Sequence, residues 1–414
     1  LLEGIGSSSK EANRIMAMDS KTLMELADTW GAHNYKPLPV VLAQGEGAFV
    51  WDVEGRRYLD FLSCYSALNH GHRHPRLVRA AKEQMDQITL TSRAFHNAEM
   101  GPFLQELCAY AGQEMALLMN SGAEAVETAL KAARKWAYRV KGVTPGEAEI
   151  IACAGNFHGR TISIVSFSTE PLYRDDFGPF CPGFRVIPYG DLKALREAIT
   201  PRTAAFLVEP IQGEAGVVIP PAGFLAEARR ICTEADVLFI ADEIQTGFGR
   251  TGRAFACEHE GVKPDLMTLG KALGGGIYPV SAVVGRRDVL GLFQPGEHGS
   301  TFGGNPLACA IGREAIRVIQ EERLSERSAE LGEWLLNALR AIPSPHVREV
   351  RGRGLFIGVE LHPEAGGARR FCEALMAQGL LCKETHDHVI RFAPPLVIGQ
   401  DQLAWAVQRV AEVL

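Results

Sequence analysis

What this chain of 414 residues lacks narrows its class first. Its nine cysteines (64, 108, 153, 181, 232, 257, 309, 372 and 382) are scattered, odd in number and never spaced C-x-x-C. That argues against a disulfide scaffold and for reduced thiols in a cytoplasmic compartment. No block of like charge occurs. The 43 Lys and Arg face 49 Asp and Glu, for a net charge of −6. A nucleic-acid binder or a polybasic membrane binder would show a basic patch. No apolar run reaches the length of a membrane span. Internal repeats and low-complexity tracts are also missing. What is present is 46% hydrophobic and 22% charged residues, the balance of a globular protein. The length suggests roughly two to three domains, and enzyme is the class to expect.

Residues 1–21, with Ser7-Ser8-Ser9 and no apolar signal core, read as a tag or loose terminus. From Ala48 to Leu62 the pattern is strand, turn, strand, with Asp52-Val53-Glu54-Gly55 as the turn. Pro75 stands where a helix should begin, and Leu77, Ala81, Met85 and Ile88 follow on one face. The middle alternates. Short apolar runs at 150–152, 204–208, 237–241 and 266–269 read as buried strands. Helical stretches lie at 123–140, 192–199 and 224–234. Such alternation predicts an α/β fold around a mainly parallel sheet, covered on both faces. The last hundred residues change character: a helix at 324–339, a strand over 349–361, a strand at 389–393 and a final helix predict a smaller α+β domain. The expected division is an N-terminal segment 22–68, a large domain 69–322 and a C-terminal domain 323–414, the first and last sharing one small unit.

In open α/β sheets, ligands sit outside the carboxyl ends of strands. Four such places carry suggestive residues. Ser121-Gly122-Ala123-Glu124 follows apolar 117–119 and opens a helix. It is either a phosphate cradle made of free backbone N–H groups or an ordinary capping box. Asp242 and Glu243 follow a buried strand, where a carboxylate is costly unless paired. Asp242 could hold a cationic ring nitrogen, a metal or a ribose hydroxyl, or be a solvated loop acid. Lys271 ends another strand among glycines, as a nucleophile with a depressed pKa or as a surface lysine. Gly247, Gly249 and Gly252 form a literal G-x-G-x-x-G, but five residues separate the motif from the strand and no helix opens on it. A dinucleotide site is therefore not expected. The first three features, taken in chain order, are what pyridoxal phosphate (PLP) requires: a phosphate cradle, an acid for the pyridine nitrogen and a lysine for the imine.

The same residues carry a family resemblance. Asp242-Glu243-Ile244-Gln245-Thr246-Gly247, Lys271 in L-G-K-A-L-G-G-G, and Gly299-Ser300-Thr301-Phe302-Gly303-Gly304-Asn305-Pro306 resemble class III aminotransferases of PLP fold type I. The likeness runs from about Thr29 to Leu414. Tyr35 in H-N-Y and Tyr65 in C-Y-S-A-L-N favour the ornithine δ-aminotransferase branch. The resemblance implies a large domain with a seven-stranded-type sheet. It implies Lys271 as Schiff-base lysine and proton carrier, Asp242 on the pyridinium nitrogen and Gln245 on the ring hydroxyl. Phe157, in A-G-N-F-H-G-R-T, would stack on the ring, with Ser121, Gly122 and Ala123 at the phosphate. Ser300 and Thr301 would reach the phosphate of a neighbouring subunit, so a homodimer with shared sites is implied. His158 stands where animal members of the branch have Trp, a change expected to alter packing more than reaction class.

For substrates, the resemblance implies L-ornithine, 2-oxoglutarate and L-glutamate. Two arginines suit dicarboxylates, because guanidinium grips carboxylate bidentately. Arg160 matches the family arginine for the distant carboxylate and Arg391 the one for the near carboxylate. Glu214 matches the glutamate that pairs with Arg391 and swings aside. Glu209, Tyr35 and Tyr65 complete the expected substrate set. N-acetylornithine, 4-aminobutyrate and lysine are rival substrates. An amino-acid racemase or epimerase would reuse Lys271 but need no Glu214–Arg391 gate. No metal is expected: His70, His72 and His74 alternate but lack a further ligand at suitable spacing. His386-Asp387-His388 reads as a polar turn. Ser63-Cys64 has no base nearby to make it a nucleophile.

Overall fold

A computed structural model describes residues 18–414. The expected loose terminus lies outside the described residues up to 17. Ser20 and Lys21, placed with it by sequence, instead open a helix over Ser20–Trp30, capped by Asp19 Oδ1 on the Thr22 N–H at 2.8 Å.

Seven strands form the central sheet, in the order Met115–Met119, Ser281–Gly285, Leu266–Leu269, Leu238–Asp242, Thr203–Val208, Glu149–Cys153 and Phe184–Ile187. All run parallel except Ser281–Gly285, which lies antiparallel between its two neighbours. Thr203–Val208 and Leu238–Asp242 are buried at every residue, which is why they read as unbroken apolar runs. Separate apolar clusters fill the two faces. On one of them the helix Gly122–Trp136 buries Ala125, Val126, Ala129, Leu130 and Ala133. This α-helix ends before Val140, contrary to the sequence reading. A wider π turn takes over at Ala137–Lys141 and stops at Gly142, φ +82°. Val140, counted in the apolar stripe by sequence, is 55% exposed in this wider turn and only Ala137 of the turn is buried. Sequence reading also passes over the helices Met100–Ala111 and Pro306–Glu321.

The strand expected over 349–361 is corrected to a hairpin of Val347–Gly352 and Ile357–Leu361, paired Gly352 to Ile357. Gly354, φ +59°, turns the chain between them. Val389–Phe392 and Lys383–Thr385 extend this sheet antiparallel. A third sheet joins the two ends of the chain. Leu42–Glu46, Phe49–Asp52 and Arg57–Asp60 form a meander, and Leu380–Leu381 adds to it parallel to Leu59–Asp60.

The glycine triplet set aside as a dinucleotide motif serves packing. Gly252 has φ +91°, and a Cβ there would stand 2.9 Å from Ala329, so the helix Leu324–Arg340 approaches closely. Between Gly249 and Gly252, Arg250 is fully buried. Its Nη1 donates to the carbonyls of Leu355 (2.8 Å) and Pro394 (2.6 Å), tying the central sheet to the C-terminal region. Burial lowers its pKa to about 9.

Candidate active site

Six strands of the central sheet point their carboxyl ends to one edge, where open α/β sheets hold ligands. Phe157, Glu209 and Lys271 follow three of them, Asp242 ends a fourth, and Gly122 and Ala123 follow a fifth. All six residues line one cavity of about 220 Å³, together with His158, Ile244 and Gln245.

Asp242 is 5% exposed and does not stand alone. Its Oδ2 lies 2.6 Å from His158 Nδ1, and its Oδ1 accepts from the Ile244 N–H at 3.1 Å. Burial works against a charged His158. The hydrogen bond and charge of Asp242 outweigh it and hold the imidazole pKa above its ordinary value. His158 therefore does more than pack. Its other nitrogen, Nε2, is buried without a hydrogen-bond partner among the described residues. Glu209, placed with the substrate by sequence, lines the cavity, and its Oε2 accepts the Phe157 N–H at 3.0 Å. Burial pushes its pKa up to about 8, so it carries a proton at neutral pH. Glu243 faces away from the cavity and is held by the N–H groups of Ala256 (3.0 Å) and Cys257 (2.8 Å).

Lys271 follows the strand Leu266–Leu269 in a left-handed conformation, φ +46°. Burial lowers its pKa, although Glu214 and Asp242 pull the other way. A lysine so placed is readily neutral and nucleophilic. At the start of helix Gly122–Trp136 both sequence alternatives are present. Ser121 and Glu124 form a capping box, with Ser121 N donating to Glu124 Oε2 at 2.7 Å. Gly122 and Ala123 line the cavity, and a Cβ on Gly122 would come within 3.0 Å of Ile244.

Arg391 sits on the strand Val389–Phe392, 1% exposed. Its Nη1 donates to Glu214 Oε1 at 2.7 Å, while its buried Nε has no partner among the described residues. Burial raises the Glu214 pKa, but the charge and hydrogen bond of Arg391 more than reverse this, so it stays ionised below the usual carboxylate range. The Tyr65 ring lies 4.8 Å from the Arg391 guanidinium, and Gln245 Nε2 lies 3.4 Å from both Glu214 Oε1 and the Tyr65 carbonyl. Arg160 is exposed and sits among three rings: Tyr173 at 4.5 Å, Phe157 at 5.7 Å and Tyr35 at 5.9 Å. It has no salt bridge among the described residues. Sequence reading passes over Tyr173, which packs edge-on against Phe157 at 5.7 Å. The spacing from Phe157 offers no signal for it, because the two meet only through the tertiary fold.

Ser300 Oγ accepts from Asn120 Nδ2 at 2.7 Å, beside the same helix start, and Thr301 is exposed. The alternating histidines diverge. His70 Nε2 meets the Ala315 carbonyl (2.9 Å), His72 Nε2 meets Asp60 (2.8 Å) and His74 meets Glu322 (3.2 Å). No group of three or more potential ligands gathers to hold a metal among the described residues. His386-Asp387-His388 forms the turn between Lys383–Thr385 and Val389–Phe392.

Residues 30–414 match the family Aminotransferase class-III. The chain is a class III aminotransferase. It is 59% identical to an ornithine aminotransferase of Bacillus subtilis (strain 168), over 95% of this chain and 98% of that one. It superposes on the crystal structure of the ornithine aminotransferase from Toxoplasma gondii ME49 with TM-score 0.96 and 44% identity, covering 98% and 97% of the two chains. An acetylornithine aminotransferase from Elizabethkingia anophelis is 50% identical, with TM-score 0.89 over 96% and 99%. The central sheet of this aminotransferase is thus the fold type I sheet that its motifs imply. No described helix is long and apolar enough to cross a membrane.

Proposed function

We propose that this aminotransferase moves the terminal amine of L-ornithine to 2-oxoglutarate. The products are glutamate 5-semialdehyde, which cyclises to pyrroline-5-carboxylate, and L-glutamate. The observation that carries the reading is the ion pair of buried Arg391 with half-buried Glu214, beside the Tyr65 ring. A charge pair there lets one site serve two unlike substrates. With ornithine, the near side of the site meets a neutralised pair. With glutamate, Glu214 leaves and Arg391 offers its guanidinium, including the unpartnered Nε, to a carboxylate. Arg160 takes the distant carboxylate in both cases.

Pyridoxal phosphate fits the residues present: a cavity of about 220 Å³ with a buried carboxylate, a burial-shifted lysine and a helix start on its wall. When bound, it supplies a carbonyl carbon that accepts an amine and a ring that takes up an electron pair. Lys271 Nζ would hold it and, once displaced by substrate, would carry the proton from the substrate's amine-bearing carbon to the cofactor. Asp242, steadied by His158, would keep the ring nitrogen protonated. Ser121, Gly122 and Ala123 would hold the phosphate, Gln245 would reach the ring hydroxyl, and the Phe157 ring would cover one face, its backbone fixed by Glu209. A homodimer in which Ser300 and Thr301 serve the neighbouring phosphate belongs to the same reading. So do the division at 68 and 322 and a cytoplasmic location. Nine free thiols support a reducing compartment.

The relative named for acetylornithine makes N-acetylornithine the rival donor. A donor panel decides: holoenzyme is mixed in turn with L-ornithine, N-acetylornithine, 4-aminobutyrate and L-lysine, and cofactor absorbance is followed through a single half-reaction. Ornithine should be consumed with a kcat/KM at least about tenfold above the others, a difference of about 1.4 kcal/mol in transition-state binding. A higher value for N-acetylornithine would replace the substrate and leave the class intact.

A further inference from the structure

Four successive residues, Ser63 to Ser66, have φ of +49°, +47°, +59° and +72°. None is glycine, so each stands where L side chains crowd the backbone. Local hydrogen bonds close the turn, from Tyr65 N to Leu62 O (3.0 Å) and from Ala67 N to Ser63 O (2.9 Å). A turn of this hand persists only where its surroundings over-determine it.

The holding contacts converge on one carboxylate. Asp60, 7% exposed, accepts at Oδ1 from the backbone N–H groups of both Leu62 and Ser63, each at 2.8 Å. Its Oδ2 meets His72 Nε2 at 2.8 Å. His72 is fixed in turn. Its backbone exchanges hydrogen bonds with Gly47 (3.0 and 2.8 Å), and a Cβ on Gly45 would stand 2.8 Å from its ring. The far end of the same turn presents Tyr65 to Arg391.

We propose that Asp60 and His72 are a positioning pair that sets Tyr65 against Arg391 and so favours the ornithine half-reaction over the glutamate one. The inference rests on the substrate reading above. Neither residue touches substrate; both act through the backbone of the turn. Without His72, Asp60 loses its orienting partner and the turn is free to relax towards right-handed conformations, carrying the Tyr65 ring off the guanidinium. Ornithine then loses a wall of its site. Glutamate, which engages Arg391 through its own carboxylate, depends on that wall less.

The test is a double-mutant cycle on the holoenzyme, with the ornithine and glutamate half-reactions measured separately in wild type, His72→Ala, Tyr65→Ala and the double variant. His72→Ala should lower the ornithine kcat/KM about tenfold and the glutamate value less than about twofold. His72→Gln, which keeps an N–H donor, should recover most of the loss. In the Tyr65→Ala background, His72→Ala should change neither value further. Equal losses for both substrates, or losses that add in the double variant, overturn the proposal. Should His72→Ala fail to fold, His72→Asn, whose amide falls short of Asp60, takes its place in the cycle. A wild type that rejects ornithine but turns over another donor overturns the substrate reading and this inference with it. A wild type active on ornithine with an additive cycle overturns the inference alone.

Discussion

Arg391 is almost wholly buried, yet one of its donors has no partner among the described residues. An uncompensated donor in the interior is costly, and a substrate carboxylate would remove that cost. Glu214 competes for the same guanidinium. Glu214→Ala should therefore raise the kcat/KM of L-glutamate relative to L-ornithine by about tenfold or more, the effect of freeing a buried cation for a carboxylate. Parallel half-reaction measurements check it, and an unchanged ratio would rule out the gate. Residue identity reaches this pair only through resemblance, because 177 positions separate its members. His158 shows the opposite gap. Sequence comparison assigns it to packing, while the structure gives it a 2.6 Å hydrogen bond to Asp242, across 84 positions.

At the scale of elements, strand ends and helix starts were the most legible features. Phe224–Glu234 and Leu266–Leu269 agree with the sequence reading to the residue, because the first is an amphipathic helix opening after Gly223 and the second a fully buried strand ending at Gly270. The strand Ser281–Gly285 is not legible. It follows a glycine-rich turn and Pro279, and only pairing with Met115–Met119 and Leu266–Leu269 makes it part of the sheet. The glycine triplet is legible as a motif but not as a contact. Gly252→Val would force a branched side chain into φ +91° and against Ala329, 2.9 Å away. It should cost about 2–4 kcal/mol of stability, combining backbone strain and overpacking. Thermal unfolding of the variant, with cofactor content measured alongside, tests this. A shift no larger than that of an exposed substitution would show that the helix Leu324–Arg340 does not depend on the close approach.

The whole molecule carries buried titratable groups of opposite sense. Burial lowers the His70 pKa to about 4 from 6.5, so its contribution to stability is present above pH 6.5 and is lost as pH falls towards 4. Burial raises Glu209 to about 8 from 4.5, so its contribution is present below pH 4.5 and is lost as pH rises towards 8. His70→Gln should flatten the fall of the unfolding midpoint between pH 6.5 and 4, where His70 accounts for about 3 kcal/mol. Glu209→Gln should flatten the fall between pH 4.5 and 8. Midpoints of both variants and wild type across pH 4–9 measure the two slopes. A wild-type slope retained in either variant would remove that group from the account.

The net charge of −6 now says little about binding. Carboxylate substrates would be drawn by Arg160 and Arg391 locally, inside an acidic molecule. By itself, the sequence determined the class of sheet, the places of Asp242 and Lys271 at strand ends and a helix start within one residue of Gly122. These depend on short-range patterns: buried runs, caps and the residue types that must follow them. Only the tertiary structure decided that His158 meets Asp242, that Tyr173 stands by Arg160, and that Asp60 and His72 hold the turn that carries Tyr65. Those contacts join residues from different strands and turns, and no periodicity within a chain segment encodes which distant side chain will lie 3 Å away once two core faces have packed.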